Sequence, residues 1–587
     1  MWRIVRWIIA GVVVVLLALA AQTAFSVFWV SRDAAELRTQ VEATKQAVGA
    51  GHISEAAHGV DEITATAARL REHTSDSIWT RAEHLPLIGS TFAAISVLSD
   101  QAAHVTEAAA PLSARLADAD TVPQALAAIS GSGDELHALQ TAATNATGAL
   151  DAVPTSGHLM GVDSALADAK DLLPQIADAA GQAADLAEVL PTITGSGAPT
   201  RWLVMLQNPA EARGSGGLFA AFAIIEVEDG KPTIVEAASR KSALDELSIP
   251  YDGLVGAGTK QVWSGELPQW ASFNVSADFP EVAQLAAAGM EARGTPVDGV
   301  LAIDPTAVAA LLAGTGPVEH KGVTIDASSA ESFFTKDIYT KFPDFPDVAA
   351  KDDLSMGLLY ATADSLIKRP LAFHELAEAM RTAIDDGHLK VWSADPKVET
   401  WLQAQPVGGQ ISTEAGPDAV IAINNGTGGK VDAYVTGTAA YAYAQCSVAG
   451  SSVAGSTVQS TVTLDVRNDA PEGLPPYVDL RLDDPSAPAG STRLFVTLYG
   501  PKGATTPTIT VDGVPYRATT VEQSGRPTWT LPVDLERGAE ANVTWTMNEP
   551  AVPGATAVLT VAPATGGIDV TTVDTDSVSA AVPCSAP

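Results

Sequence analysis

Gln207-Asn208-Pro209-Ala210-Glu211-Ala212-Arg213-Gly214-Ser215-Gly216-Gly217 is the stretch on which the reading of the fold turns. Trp202 to Leu206 before it and Leu218 to Val227 after it are apolar runs of strand length, and a turn at Glu228-Asp229-Gly230 leads to a third run at Thr233 to Val235. Three short strands joined by polar, Gly-containing connections read as a hairpin meander. The connection itself carries chemistry. Glycines at Gly214, Gly216 and Gly217 let backbone amides approach an anion, and Arg213 offers a planar fork for two phosphate or carboxylate oxygens. The same residues also suit a Gly-rich hairpin whose Arg213 forms a structural ion pair with Glu211 or another acid, and spacing leaves both readings open.

Working outward, Trp270 to Pro280 precedes a helical pattern and Val297 to Pro305 follows it. Asp278 suits a helix N-cap and Asp304 a cap before Pro305 to Leu312, and for both the other reading is a metal or sugar ligand. Val300 to Ile303 reads as a buried strand, and helical spacing returns over Leu354 to Ile367 and Leu371 to Ile384. Strands alternating with helices predict a central α/β (α+β) domain over residues 196–445. From about Gln405 the chain is rich in Thr, Val, Gly and Pro. Period-two runs such as Thr461 to Val466 and Leu494 to Tyr499, with turns such as Asp512-Gly513, predict a β-sandwich over 446–587.

Towards the N-terminus, residues 31–195 are Ala-rich with helical spacing. Ala57, Val60, Ile63, Ala67 and Leu70 form one stripe after a candidate N-cap at Ser54; Phe92, Ile95, Leu98, Ala102, Val105 and Ala109 form a second, and Leu173, Ile176, Ala180, Ala183, Leu186 and Leu190 a third. Pro86, Pro123 and Pro154, with the Gly-Ser-Gly run from Gly131, divide four to six antiparallel helices of a bundle. Ile8 to Val30 contains no charged residue and is long enough to cross a bilayer as one helix. Arg3 and Arg6 before it place residues 1–7 in the cytoplasm and everything after Ser31 outside, as an uncleaved signal anchor. Cleavage near Ala18-Leu19-Ala20 is the other reading. An outside location permits a disulfide between Cys446 and Cys584, against the reading of two free buried thiols.

Composition bounds the function. At 587 residues several folded units are expected, and 46% hydrophobic with 18% charged residues excludes a wholly disordered chain. With 34 Lys plus Arg against 69 Asp plus Glu, the net charge of -35 disfavours nucleic acid as a partner. Two cysteines exclude a cysteine-ligated zinc site or iron–sulfur cluster built from this chain alone. Gly253 and Gly258 have Walker spacing, but Thr259-Lys260 reverses the required order; His374-Glu375 begins a metalloprotease pattern in which Glu378 replaces the second histidine.

The runs NPAEARGSGGLF, WASFNVSADFP and VDGVLAIDPTAVAALLAGTGPV, with Asn424-Asn425-Gly426-Thr427-Gly428-Gly429-Lys430-Val431-Asp432-Ala433-Tyr434, resemble in order and spacing the bacterial domain of unknown function 4012 family, over about residues 198–445. A weaker resemblance is to the LytR-CpsA-Psr glycopolymer transferases, which are anchored outside by one span and join lipid-linked polymers to the cell wall. It implies their fold for the central domain and places Arg213 where that family's first phosphate-contacting arginine falls. Ser239-Arg240-Lys241 lies near its Pro-Arg-Asp element without matching it, and its later arginine cluster is replaced by Tyr339, Lys341 and Lys351. The expectation is therefore an envelope protein that assembles or attaches cell-surface polysaccharide. Arg213, Gly214, Gly216, Gly217, Arg240 and Lys241 would hold a lipid-linked diphosphate, and Asp245 or Asp278 would hold Mg²⁺. The alternative is a non-catalytic scaffold, glycan-binding or adhesion protein. The two separate on geometry: Arg213 and Arg240 converging on an open groove favour the first, Arg213 buried against Glu211 the second.

Overall fold

The computed structural model describes residues 53–574 with short internal gaps, the longest at 448–456, together with scattered positions between 36 and 47 and the pair Val582–Pro583. The described residues form two compact units.

The first is helical. Its long helices are α1 (Ile53–Thr74), α2 (Gly89–Leu116), α3 (Gly133–Asp151) and α4 (Val162–Ile193). Every residue of the three apolar stripes is buried, from Ala57 and Ile63 on α1 through Leu98 and Val105 on α2 to Ile176 and Ala180 on α4. Alanine seams allow the helix backbones to approach closely, which is why so Ala-rich a segment packs. Ser54 lies inside α1 and is not its cap. Pro111 and Pro174 sit within helices, so the prolines that divide this bundle are those placed at turns.

The second unit contains a mixed sheet and a sandwich. The sheet has the order β3-β2-β1-β4-β7, from β1 (Thr200–Asn208), β2 (Leu218–Glu228), β3 (Lys231–Ser239), β4 (Gly299–Ile303) and β7 (Leu389–Ser393). Asp229 and Gly230, both at positive φ, make the tight β2–β3 turn. β1 and β4 run parallel, with Trp202 opposite Gly299 and Leu206 opposite Ile303, while β7 adds antiparallel to β4. Helices α5 (Phe279–Ala292) and α6 (Pro305–Thr315) flank β4 in sequence; α7 (Val348–Lys368) and α8 (Pro396–Gln403) follow, and β5 (Val318–His320) with β6 (Val323–Ile325) forms a separate hairpin. Two apolar cores result, one around Phe219, Phe222, Trp270, Phe273 and Phe279, the other joining Val308 and Leu312 to Leu354 and Leu358.

The sandwich is built from β8 (Asp418–Asn425), β9 (Val435–Tyr443), β11 (Thr457–Asn468), β12 (Thr492–Tyr499), β13 (Thr505–Val511), β14 (Val514–Pro515), β15 (Thr519–Gln523), β16 (Arg526–Leu535), β17 (Glu540–Pro550), β18 (Val558–Val561) and β19 (Ile568–Asp574). Its sheets run β14-β13-β17-β11-β9-β19 and β15-β16-β12-β8-β18. Because β8 and β9 each pair inside these sheets, the sandwich starts near Asp418 and not at 446. Asn424-Asn425 and the following Gly-rich turn looked like part of the central domain because they share its motifs, yet the strand that carries the two asparagines is laddered to β12 of the sandwich, with Asn424 opposite Phe495 and Asn425 opposite Leu494.

Two expectations are corrected. No helix among the described residues is long and apolar enough to cross a membrane, and residues 8–30 lie outside the described residues. Single-pass anchoring, and the extracytoplasmic localisation that rested on it, therefore have no support in the structure. Nor does a disulfide join any described residues. Cys446 opens the two-residue strand β10 (Cys446–Ser447), whose backbone pairs in parallel with β20 (Val582–Pro583), and Cys584 lies outside the described residues. Among the described residues these two stretches are linked by backbone pairing, and the expected Cys446–Cys584 bridge falls outside them.

Candidate functional site

The Gly-rich connection between β1 and β2 turns inward. Arg213 is 7% exposed; its Nη2 donates to Glu211 Oε1 at 2.6 Å and its Nη1 to the Ala212 carbonyl at 2.8 Å. Glu211 is also buried, and Lys430 from the turn after β8 donates to its other oxygen. Burial pushes the Glu211 carboxyl up, but the charges and hydrogen bonds of Lys430 and Arg213 outweigh it and hold the group down at about 2. The guanidinium fork is thus occupied from within the chain.

The glycines have structural duties. Gly214 N–H donates to Asn424 Oδ1 at 2.9 Å, Ser215 N–H to the Asn274 carbonyl at 3.3 Å, and Gly216 N–H to the Arg213 carbonyl at 2.9 Å. A Cβ on Gly214 would lie 2.0 Å from the Val275 carbonyl oxygen. Gly217, at φ 148°, passes so close to β1 that a Cβ would meet the Asn208–Pro209 backbone at 2.4 Å. Asn274 Nδ2 donates to Ser215 Oγ and the Gly217 carbonyl, while Asn424 Nδ2 donates to the Val275 carbonyl. Asp432 accepts from Ala212 N–H at 3.0 Å, Asn425 Nδ2 at 2.7 Å and Thr492 Oγ1 at 2.8 Å, and burial pushes its carboxyl up to about 6. Motif segments far apart in sequence therefore meet in one buried seam between the mixed sheet and the sandwich.

Beside the seam, at the carboxyl ends of the parallel pair β1 and β4, lies a crevice of about 70 Å³, where open α/β sheets commonly bind ligands. Leu206, Ile303, Val308 and Phe334 form its apolar wall; Asn208, Ser239, Tyr339, Lys351 and Asp352 form its polar rim. Phe334 belongs to a π-helical turn, Phe333–Asp337, a geometry that recurs at functional sites. The rim is internally paired. Asn208 Nδ2 donates to the Phe334 carbonyl and to Tyr339 Oη, both at 3.0 Å, and Asp352 accepts from Ser239 Oγ at 2.8 Å and Lys351 Nζ at 2.7 Å. Burial, reinforced by Tyr477 and Glu211, pushes the Tyr339 phenol well above its ordinary value, so it remains a neutral hydroxyl.

Arg240 forms an ion pair with Asp245, and burial lowers its pKa despite Glu211 nearby; its buried Nε has no hydrogen-bond partner among the described residues. Lys241, next in sequence, is exposed. Asp278 does not cap α5. Its Oδ1 accepts from Ile411 N–H at 3.1 Å, and burial raises its pKa. Asp245 and Asp278 thus serve different partners, and among the described residues no group of three or more His, Cys, Asp or Glu is arranged to hold a metal ion. The residues present do not fit a Mg²⁺ site. Asp304 caps α6 through Thr306 and Ala307 N–H, and its second oxygen lies 2.6 Å from His388 Nδ1. Lys390, unmarked in the sequence, donates to the Ser215 carbonyl at 2.9 Å, and burial pushes its ammonium down to about 8.

Fold and site together define a mixed sheet and a β-sandwich joined through a buried charged loop, with a small crevice alongside. Residues 198–339, which carry the loop and most of the crevice, match the family described as Protein of unknown function (DUF4012), as their motifs led us to expect. No curated protein and no solved structure matches the chain, so the weaker LytR-CpsA-Psr resemblance has no support.

Proposed function

We propose that this chain is a non-catalytic scaffold in which the Gly-rich loop is a joint and not an anion grip. The observation that carries the reading is the closure of Arg213 on Glu211, itself neutralised by Lys430. A guanidinium with both ends engaged inside the protein has no fork left for a diphosphate. The separate roles of Asp245 and Asp278 add that these two carboxylates do not stand together for a metal-assisted transfer.

A second reading, attachment of polysaccharide through a lipid-linked diphosphate, keeps one observation in its favour: the unpaired Nε of Arg240, in the same electrostatic neighbourhood as Asp352 of the crevice rim. Calorimetric titration of the full chain with a lipid-linked diphosphate sugar separates the readings. The scaffold predicts no saturable heat in wild type, and a lower melting temperature for Arg213→Lys. Saturable binding that Arg240→Gln abolishes at unchanged melting temperature would overturn it.

A further inference from the structure

Every strand ladder within the two sandwich sheets is antiparallel except two. β18 adds parallel to β8, from Val558 opposite Asp418 to Val561 opposite Ile421, and β19 adds parallel to β9, from Ile568 opposite Gly437 to Asp574 opposite Tyr443. Both lie at sheet edges, and both follow in sequence the nine strands that build the rest of the sandwich. A parallel partner is reached by a crossover and not a tight hairpin, so no short turn ties either strand to its neighbour.

The side-chain anchoring of β18 and β19 is light, and the chain beyond them pairs once more, through β20 with β10, a contact that exchange would carry along. Leu559 enters the sandwich core beside Ala419, joined by Ala557, while Val561 and Ile568 are only partly buried against it. Val558 is 50% exposed and Val570 43%. Among the described residues, the main-chain ties flanking the ladders are Val558 N–H to the Pro417 carbonyl, Ala562 N–H to the Ile421 carbonyl, both at 2.8 Å, and Gly437 N–H to the Gly567 carbonyl at 3.2 Å. Release would uncover two adjacent rows of unpaired backbone groups on β8 and β9, a ready template for an incoming strand. The strand that fits both rows, in polarity, register and placement of Leu559, is this same segment. Contributed by another copy it makes identical contacts, so exchange costs little beyond association.

We propose that β18 and β19 are exchangeable donor strands, and that the edges of β8 and β9 form an acceptor for the same strands of a second copy. The partner is thus a second chain, gripped through main-chain ladders with Leu559 as its side-chain anchor. This rests on the sandwich alone and is independent of the reading of Arg213.

The test uses two full-length variants, each lacking the native cysteines through Cys446→Ser and Cys584→Ser: one carries Thr560→Cys, the other Val420→Cys, which face each other across the β18–β8 ladder. Since each chain has one thiol, a disulfide between the two kinds forms only in trans. Co-refolding followed by mild oxidation should yield Thr560–Val420 heterodimers, and Leu559→Asp on the Thr560→Cys chain should reduce their yield at least tenfold. Mixing the two chains only after each has folded, with oxidation at once, should give at least tenfold less heterodimer than co-refolding, which separates strand exchange from chance encounter of thiols; this arm holds even if Leu559→Asp folds poorly. Absence of heterodimer after co-refolding, or an equal yield from the prefolded chains, overturns the proposal.

Discussion

Glu211 shows how a buried acid is kept ionised. Its carboxylate has lost its water, yet Lys430 and Arg213 leave it well below the ordinary carboxylate range, whereas Asp432 close by receives only neutral donors and is pushed up to about 6. The two acids therefore respond to pH in opposite senses. Glu211, with a depressed folded pKa, contributes stability that is present above its unfolded value of 4.5 and is lost as pH falls towards about 2. Asp432, with a raised one, binds its proton more readily folded than unfolded, so its ionisation costs stability above about 6 and that cost disappears as pH falls towards 3.8. We predict that Asp432→Asn flattens the gain in denaturant stability between pH 7 and pH 5 relative to wild type; an unchanged slope would show that Asp432 does not titrate there. In the sequence, the Arg213–Glu211 pair was visible as one of two readings because the residues are two apart. Its contact with Lys430 was not, because that residue, although it lies within a recognised motif, is 219 positions from Glu211 and nothing local joins the two.

At the level of elements, the connection from β1 to β2 is held by backbone approach as much as by charge. Gly217 has a φ that L side chains rarely adopt, and a Cβ would strike main-chain atoms that cannot swing aside. Gly217→Ala should cost about 2 to 3 kcal/mol, while Gly265→Ala, where a Cβ would meet nothing within 4 Å, should stay within about 0.5 kcal/mol of wild type. Urea unfolding of both variants checks the contrast. Helical periodicity made the bundle's buried stripes legible, and period-two alternation did the same for β11; in β12 both faces are buried from Val496 to Tyr499, so alternation marked the strand but not its buried faces. The assignment of β8 and β9 was not legible, because strand pairing across many residues leaves no local trace: β8 pairs with β12 and β9 with β11, and only the ladders reveal which sheet owns them. Asp278 looked like a cap for the same reason that Asp304 is one, an acid before a proline-started helix, but its oxygen turns to Ile411, which is 133 positions away.

Across the second unit, the seam makes the mixed sheet and the sandwich mutually dependent. Asn424 reaches back to Gly214 and Val275, Asp432 to Ala212, and Trp263 packs edge-on against Phe495 of β12 at 5.9 Å. The family match ends at residue 339, yet the loop at its heart is completed by Lys430 and Asp432, so a fragment stopping there would leave Glu211 with Arg213 as its one cation and Ala212 N–H without its acceptor. Such a fragment should fail to show cooperative unfolding that a chain spanning both parts retains, as near-ultraviolet circular dichroism would show. The central claim, that Arg213 serves the joint, is tested most directly by the denaturant stability of Arg213→Met beside wild type at pH 7, followed by tryptophan fluorescence. Removing one cation from a buried carboxylate should cost about 3 kcal/mol or more; an Arg213→Met chain as stable as wild type would contradict the account.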